Sequence, residues 1–123
     1  MFSDEMQIML YVDDVKKVAA FWQALGFVII DEQEADGTAV IEIGASELAQ
    51  AHFVLYDRQF IEAHSPEVAS NSPSIMFFTT DAMALYKKMQ ANQVELGDLV
   101  QLGERLVFNF ADIEGNYFAV SEK

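Results

Sequence analysis

Along this chain the hydrophobic positions change period in a fixed order, and they do so twice. Gln7 to Val12 is a short apolar run that stops at Asp13-Asp14, after which Val15, Val18, Ala19, Trp22 and Leu25 recur at helical spacing. A strand and then a helix are predicted, with Asp13 or Asp14 placed to cap the first free amides and Gly26 as the stop signal. Three further strands follow at Phe27 to Glu34, Thr38 to Ile43 and Ala51 to Tyr56, the first two parted by the turn Ala35-Asp36-Gly37. The second half repeats this grammar. It has a strand at Ser74 to Thr79, a cap at Thr80-Asp81, and a buried stripe of Ala82, Leu85, Tyr86 and Met89. Strands at Val94 to Gln101, Arg105 to Phe110 and Asn116 to Ser121 complete it, with turns at Leu102-Gly103-Glu104 and Asp112-Ile113-Glu114-Gly115. The chain reads βαβββ twice.

The halves also match position by position. At a separation of 67 residues Ile8, Met9, Asp14, Gln23 and Ala24 fall on Ile75, Met76, Asp81, Gln90 and Ala91. At a separation of 65, Phe53-Val54-Leu55 falls on Phe118-Ala119-Val120. The apolar stripe of the second helix stands 67 places after Val15, Val18, Ala19 and Trp22. Chance similarity has no reason to preserve which helix face is apolar, so this phase agreement is stronger evidence of duplication than the identities are. A chain of 123 residues is too short for two independent cores, so one domain over 1–123 is expected. Its parts are a first module at 1–57, a linker at 58–73 that holds both prolines and a helical turn at Phe60 to His64, and a second module at 74–123.

Composition narrows the function. Hydrophobic residues make up 52% of the chain and ten are Phe, which excludes a disordered acidic protein. The net charge of minus 13 divides as minus 8 over residues 1–60 and minus 5 over 61–123, so both halves repel polyanions. Nucleic acid and anionic membrane are excluded as partners, since phosphate binding draws on clustered Lys and Arg. The acidity serves solubility, or it attracts a cationic ligand. There are no cysteines, hence no disulfide, thiolate metal site or Cys nucleophile. No apolar run approaches a membrane span and the first residues are acidic rather than basic, so a cytoplasmic location is expected.

Two local motifs add to the duplication. Tyr11-Val12-Asp13-Asp14-Val15 is followed by Ala20-Phe21-Trp22 and by Leu25-Gly26-Phe27, and near the other end stands Phe110-Ala111-Asp112-Ile113-Glu114-Gly115-Asn116. With the duplicated unit, these resemble the opening and closing patterns of the vicinal oxygen chelate superfamily, which includes glyoxalase I, extradiol dioxygenases and bleomycin-resistance proteins. Ile113 stands where the closing turn usually has Pro. The resemblance implies an α+β fold, in which two βαβββ modules form a curved, barrel-like mixed sheet around a central cavity. It also implies a homodimer, since members often pair modules across chains. Members that use a metal place one ligand on the first and one on the last strand of each module. Here those positions fall on Gln7, Val54, Ser74 and Ala119. Val and Ala cannot ligate and Ser is a poor ligand, so neither a metal nor another cofactor is expected.

Strand alternation extends the expected cavity from these positions. If Gln7 faces inward, so do Met9 and Tyr11, and by the repeat Ser74, Met76 and Phe78. On the closing strands His52, Val54 and Tyr56 face with Tyr117 and Ala119, and Glu42, Arg105 and Asn109 are polar residues on otherwise apolar central strands. A two-residue slip leaves the facing of a strand unchanged and brings His52 toward Gln7, with Tyr117 as a third polar group. Glu42 with Arg105 reads as an ion pair or as a buried base, and Trp22 as an anchor of helix to sheet or a stacking surface. His64, in the linker, reads as solvated. The function expected is metal-free binding of a small molecule, similar to bleomycin-resistance proteins, with a cationic or aromatic compound held without being altered. The alternatives are a glyoxalase-like lyase or isomerase with a non-standard metal site at Gln7 and His52, a metal-free enzyme using Glu42 as base, and a structural or regulatory homodimer with a vestigial cavity. No catalytic residue is singled out.

Overall fold

A computed structural model describes residues 1–67, 69 and 72–123. They form two compact units, Met1–Ser72 and Pro73–Lys123. The first unit runs β1 (Met6–Val12), α1 (Val15–Ala24), β2 (Val28–Ala35), β3 (Thr38–Gly44), β4 (Ala51–Asp57) and α2 (Arg58–His64). The second runs β5 (Met76–Thr79), α3 (Ala82–Ala91), β6 (Glu95–Leu96), β7 (Val100–Leu102), β8 (Arg105–Ala111) and β9 (Tyr117–Glu122).

Each unit builds its own mixed sheet. In the first the order is β1-β4-β3-β2, with β1 parallel to β4 and the other pairs antiparallel. One face carries Leu10, Val12, Ile41, Ile43, Phe53 and Leu55, all buried, and α1 packs on it through Val15, Val18, Ala19 and Trp22. The Trp22 ring lies 5.5 Å from Phe53 and 4.9 Å from Phe27 between centroids, as the helix-to-sheet anchor its place in the apolar stripe suggests. Each such fully buried side chain contributes roughly 2–3 kcal/mol. Asp14 caps α1 by accepting from the Lys17 amide at 3.1 Å. Asp13 takes a different task and accepts from Arg58 Nη1 at 2.7 Å, while Arg58 Nη2 donates to the Tyr11 carbonyl at 2.7 Å. This ties α2, which is longer than the expected turn, to the end of β1.

The second sheet has the order β5-β9-β8-β6, with β7 also on β8 and β5 parallel to β9. Asp81 caps α3 through the Ala84 amide at 3.0 Å, in the place that the repeat assigns. The strand expected over Val94 to Gln101 is broken. Leu96 lies opposite Phe110 and Val100 opposite Val107, so four steps on one side face three on the other. Gly97 and Asp98, both poor strand formers, occupy the break, where the Gly97 amide donates to the Asn109 carbonyl at 2.8 Å. The strand expected from Ser74 begins only at Met76, after Pro73-Ser74-Ile75.

Candidate functional site

The sheet face opposite α1 in the first unit collects the polar residues of the expected site. Pairing sets Gln7 beside His52 and Met9 beside Val54 on β1 and β4. On the other flank of β4, Gly44 lies beside His52 and Glu42 beside Val54. The row Gln7, His52, Gly44 is therefore followed by the row Met9, Val54, Glu42. The His52 ring leans over Gly44, where no side chain stands in the way, and meets Glu42. Glu42 Oε2 accepts from Gln7 Nε2 at 3.1 Å and lies 2.6 Å from His52 Nδ1. The other ring nitrogen of His52, Nε2, is 2.6 Å from the carbonyl oxygen of Ala49.

This geometry sets the protonation of His52. A carbonyl oxygen only accepts, so Nε2 must carry a hydrogen. Glu42 Oε2 already accepts from Gln7, which marks it as an acceptor toward Nδ1 as well. With Glu42 ionised, both nitrogens find acceptors only when the ring is protonated, so the geometry favours the imidazolium. The hydrogen bond to Glu42 raises the His52 pKa above the ordinary 6.5 in spite of burial, which lowers it. The Ala49 carbonyl and the charges of Glu42 and Glu5 add to the rise. Both side chains of the pair are 19% exposed, so solvent weakens the attraction without removing it.

Beside the pair lies a pocket of about 360 Å³, lined by Glu5, Met6 and Gln7, by Glu42 and His52, and by Glu47 to Gln50 of the loop between β3 and β4. The loop is a strap: Gln50 accepts from the Met6 amide at 2.9 Å, and Ala49 donates to the Ser46 carbonyl at 3.3 Å. The Leu48 side chain is exposed at the lip. Sequence reasoning missed Gly44, Ala49 and the strap. Gly44 is recognisable only once register sets it against His52, and a backbone carbonyl leaves no mark in a sequence.

The donor set does not suit a metal. Both ring nitrogens of His52 face oxygen acceptors, Val54 is apolar and buried, and Gln7 turns its amide nitrogen toward Glu42. Among the described residues no group of three His, Asp or Glu side chains gathers at one point.

The rest of the expected cavity divides between the units. Tyr11 and Tyr56 share the face of the first sheet that bears Gln7, with ring centroids 6.4 Å apart. In the second unit Asn109, Ala119 and Met76 share one row, while Phe78 neighbours Ser121. Met76, Phe78, Arg105, Asn109 and Tyr117 are exposed, and Ser74 is exposed ahead of β5. Glu42 pairs with His52, and Arg105 stands at the start of β8 in the second unit. Trp22, on α1, is 1% exposed and packed against the sheet, so it offers no surface for stacking a ligand. His64 is exposed, with Nδ1 2.9 Å from the Phe60 carbonyl.

The repeat makes the two units chemically unequal. Glu42 recurs as Asn109 and Gly44 as Ala111 at a separation of 67, and His52 as Tyr117 at 65. Only the first unit carries the acid, the glycine and the histidine together. What the fold defines is a class of protein built from two βαβββ units, each with a helix on one sheet face and polar groups on the other. A profile of the Glyoxalase/Bleomycin resistance protein/Dioxygenase superfamily matches residues 6–120, and the chain belongs to that superfamily. Similar solved structures include TnmS3, an antibiotic binding protein from Streptomyces sp. CB03234, at 18% identity and a TM-score of 0.80 over 98% of this chain and 96% of that one. A superfamily member from Sphaerobacter thermophilus shares 20% identity at a TM-score of 0.79 over 100% and 99% of the two chains. A lactoylglutathione lyase from Agrobacterium tumefaciens shares 17% at 0.74 over 99% and 95%. No curated protein sequence matches the chain. At these identities the likeness is one of fold.

Proposed function

We propose that this chain is a metal-free small-molecule binding protein that sequesters a cationic or aromatic compound without altering it. The observation that carries the reading is a pocket whose one histidine has both ring nitrogens committed to oxygen acceptors. While protonated, such a histidine offers no lone pair to a metal or to a substrate proton, and Glu5 and Glu47 offer carboxylates to a cation. A volume of about 360 Å³ suits a small ligand or one end of a larger one. Tyr11 and Tyr56, outside the pocket lining but on the same sheet face, offer rings to a ligand that extends along that face. The likeness to an antibiotic binding protein points in the same direction.

Calorimetric titration with cationic glycopeptide and aromatic antibiotics tests this, alongside elemental analysis of protein purified without chelator. Heat of binding is expected with no stoichiometric metal, and ligand at about 100 times its Kd is expected to stabilise the fold by about 2.7 kcal/mol. E47Q is expected to weaken a cationic ligand several-fold. A stoichiometric divalent metal overturns the proposal, as does uniform absence of heat and thermal shift.

A further inference from the structure

We propose that His52 is a proton-operated latch on the strap of residues 45–49 that walls the pocket of the first unit. With both nitrogens protonated the ring ties the Ala49 carbonyl to Glu42, and loss of one proton to solvent releases the strap. The inference rests on geometry alone and is independent of what the pocket binds.

A neutral imidazole has one N–H and one lone pair, so it cannot donate to two acceptors. Here both acceptors sit at 2.6 Å. On deprotonation one contact becomes lone pair against lone pair. Nδ1 keeps its hydrogen, because its bond to the Glu42 carboxylate is the charge-assisted one. Nε2 therefore gives up the proton, and the Ala49 contact breaks. What then still holds the strap is uneven. Gln50 stays bonded to the Met6 amide at 2.9 Å, while the turn ahead of it keeps only the 3.3 Å bond from Ala49 to Ser46. Residues 46–49 are thus the part set free, with exposed Leu48 at their tip.

The charged groups around the ring are Glu42 from β3, Glu5 from the segment ahead of β1 and Glu47 from the strap itself, with neutral Gln7 from β1. No Lys or Arg is among the described residues lining the pocket. The carboxylates of Glu42 and Glu5 favour the imidazolium and move the release upward from the ordinary 6.5. Gly44 is part of the device. A Cβ there lies 3.1 Å from His52 Cδ2 and 3.1 Å from the Ser46 carbonyl oxygen, so a side chain presses on both the ring and the strap.

The test is a pH titration of the full chain labelled with ¹⁵N, following the ring nitrogens of both histidines and the backbone amides. Both His52 nitrogens are expected to show protonated shifts at low pH, with a midpoint above 6.5. The amides of Glu47, Leu48 and Ala49 are expected to shift with that midpoint and to exchange above it about tenfold faster than the ordinary base-catalysed rise with pH accounts for. The Met6 amide is expected to stay unchanged. In H52Q, which has no proton to lose at that position, the strap amides are expected not to titrate. In G44A the His52 midpoint is expected to fall. A His52 midpoint at or below 6.5, or strap amides indifferent to His52 titration, overturns the proposal. The unsubstituted chain gives this reading by itself if a variant fails to fold.

Discussion

Gly44 is what brings Glu42 within reach of His52. The two lie in neighbouring rows of the sheet, and the His52 ring leans over its row partner Gly44, which has no side chain, to meet Glu42 at 2.6 Å. Because the pair raises the His52 pKa, the folded chain binds a proton that the unfolded chain has already lost between pH 6.5 and the folded midpoint. The stabilisation is fully present below 6.5 and disappears as pH rises through that midpoint. Urea unfolding at a series of pH values is expected to show this decline in the native chain and not in H52Q. E42Q removes the largest cause of the raised pKa. It is expected to lower the midpoint and to cost about 1 kcal/mol at pH 6, the size of a partly exposed charged hydrogen bond. Gln7, Glu42 and His52 were each legible in the sequence as polar residues on apolar strands. Their partnership was not, since Glu42 read equally well as the partner of Arg105.

At the scale of elements the repeat exposes a flaw in the second copy. Gly26 follows α1 with φ at +105°, and 67 places later Gln93 follows α3 with φ at +55°. The left-handed region suits glycine and costs a larger residue about 1–2 kcal/mol, part of which is returned by lower chain entropy. Q93G is therefore expected to stabilise the chain by about 0.5–1 kcal/mol in denaturant unfolding, with the fold unchanged. The helices, caps and most strands follow from local pattern, as Asp14 and Asp81 show by capping in equivalent places. The break at Gly97-Asp98 did not follow. Val94 to Gln101 has enough apolar residues for one strand, and only the spacing of partners along β8 decides that an extra residue must be accommodated.

For the molecule as a whole, twenty acidic residues against seven basic ones set a self-repulsion that salt relieves. Raising sodium chloride from about 20 to about 300 mM is expected to increase the melting temperature by a few degrees, equivalent to about 1 kcal/mol. A fall on adding salt counts against charge repulsion as the dominant surface term. No helix among the described residues is long and apolar enough to cross a membrane. The sequence by itself determined the duplication, the order of elements and the face each presents to its helix, because these depend on hydrophobic period, which is local. Tertiary structure alone decided that His52 lies beside Gln7, that its ring meets Glu42 over Gly44, and that the Ala49 carbonyl closes the ring's other side. A two-residue shift of β4 along β1 leaves every apolar side chain on its proper face. Hydrophobic pattern is indifferent to that shift, and hydrogen-bonded pairing across the sheet is what fixes it.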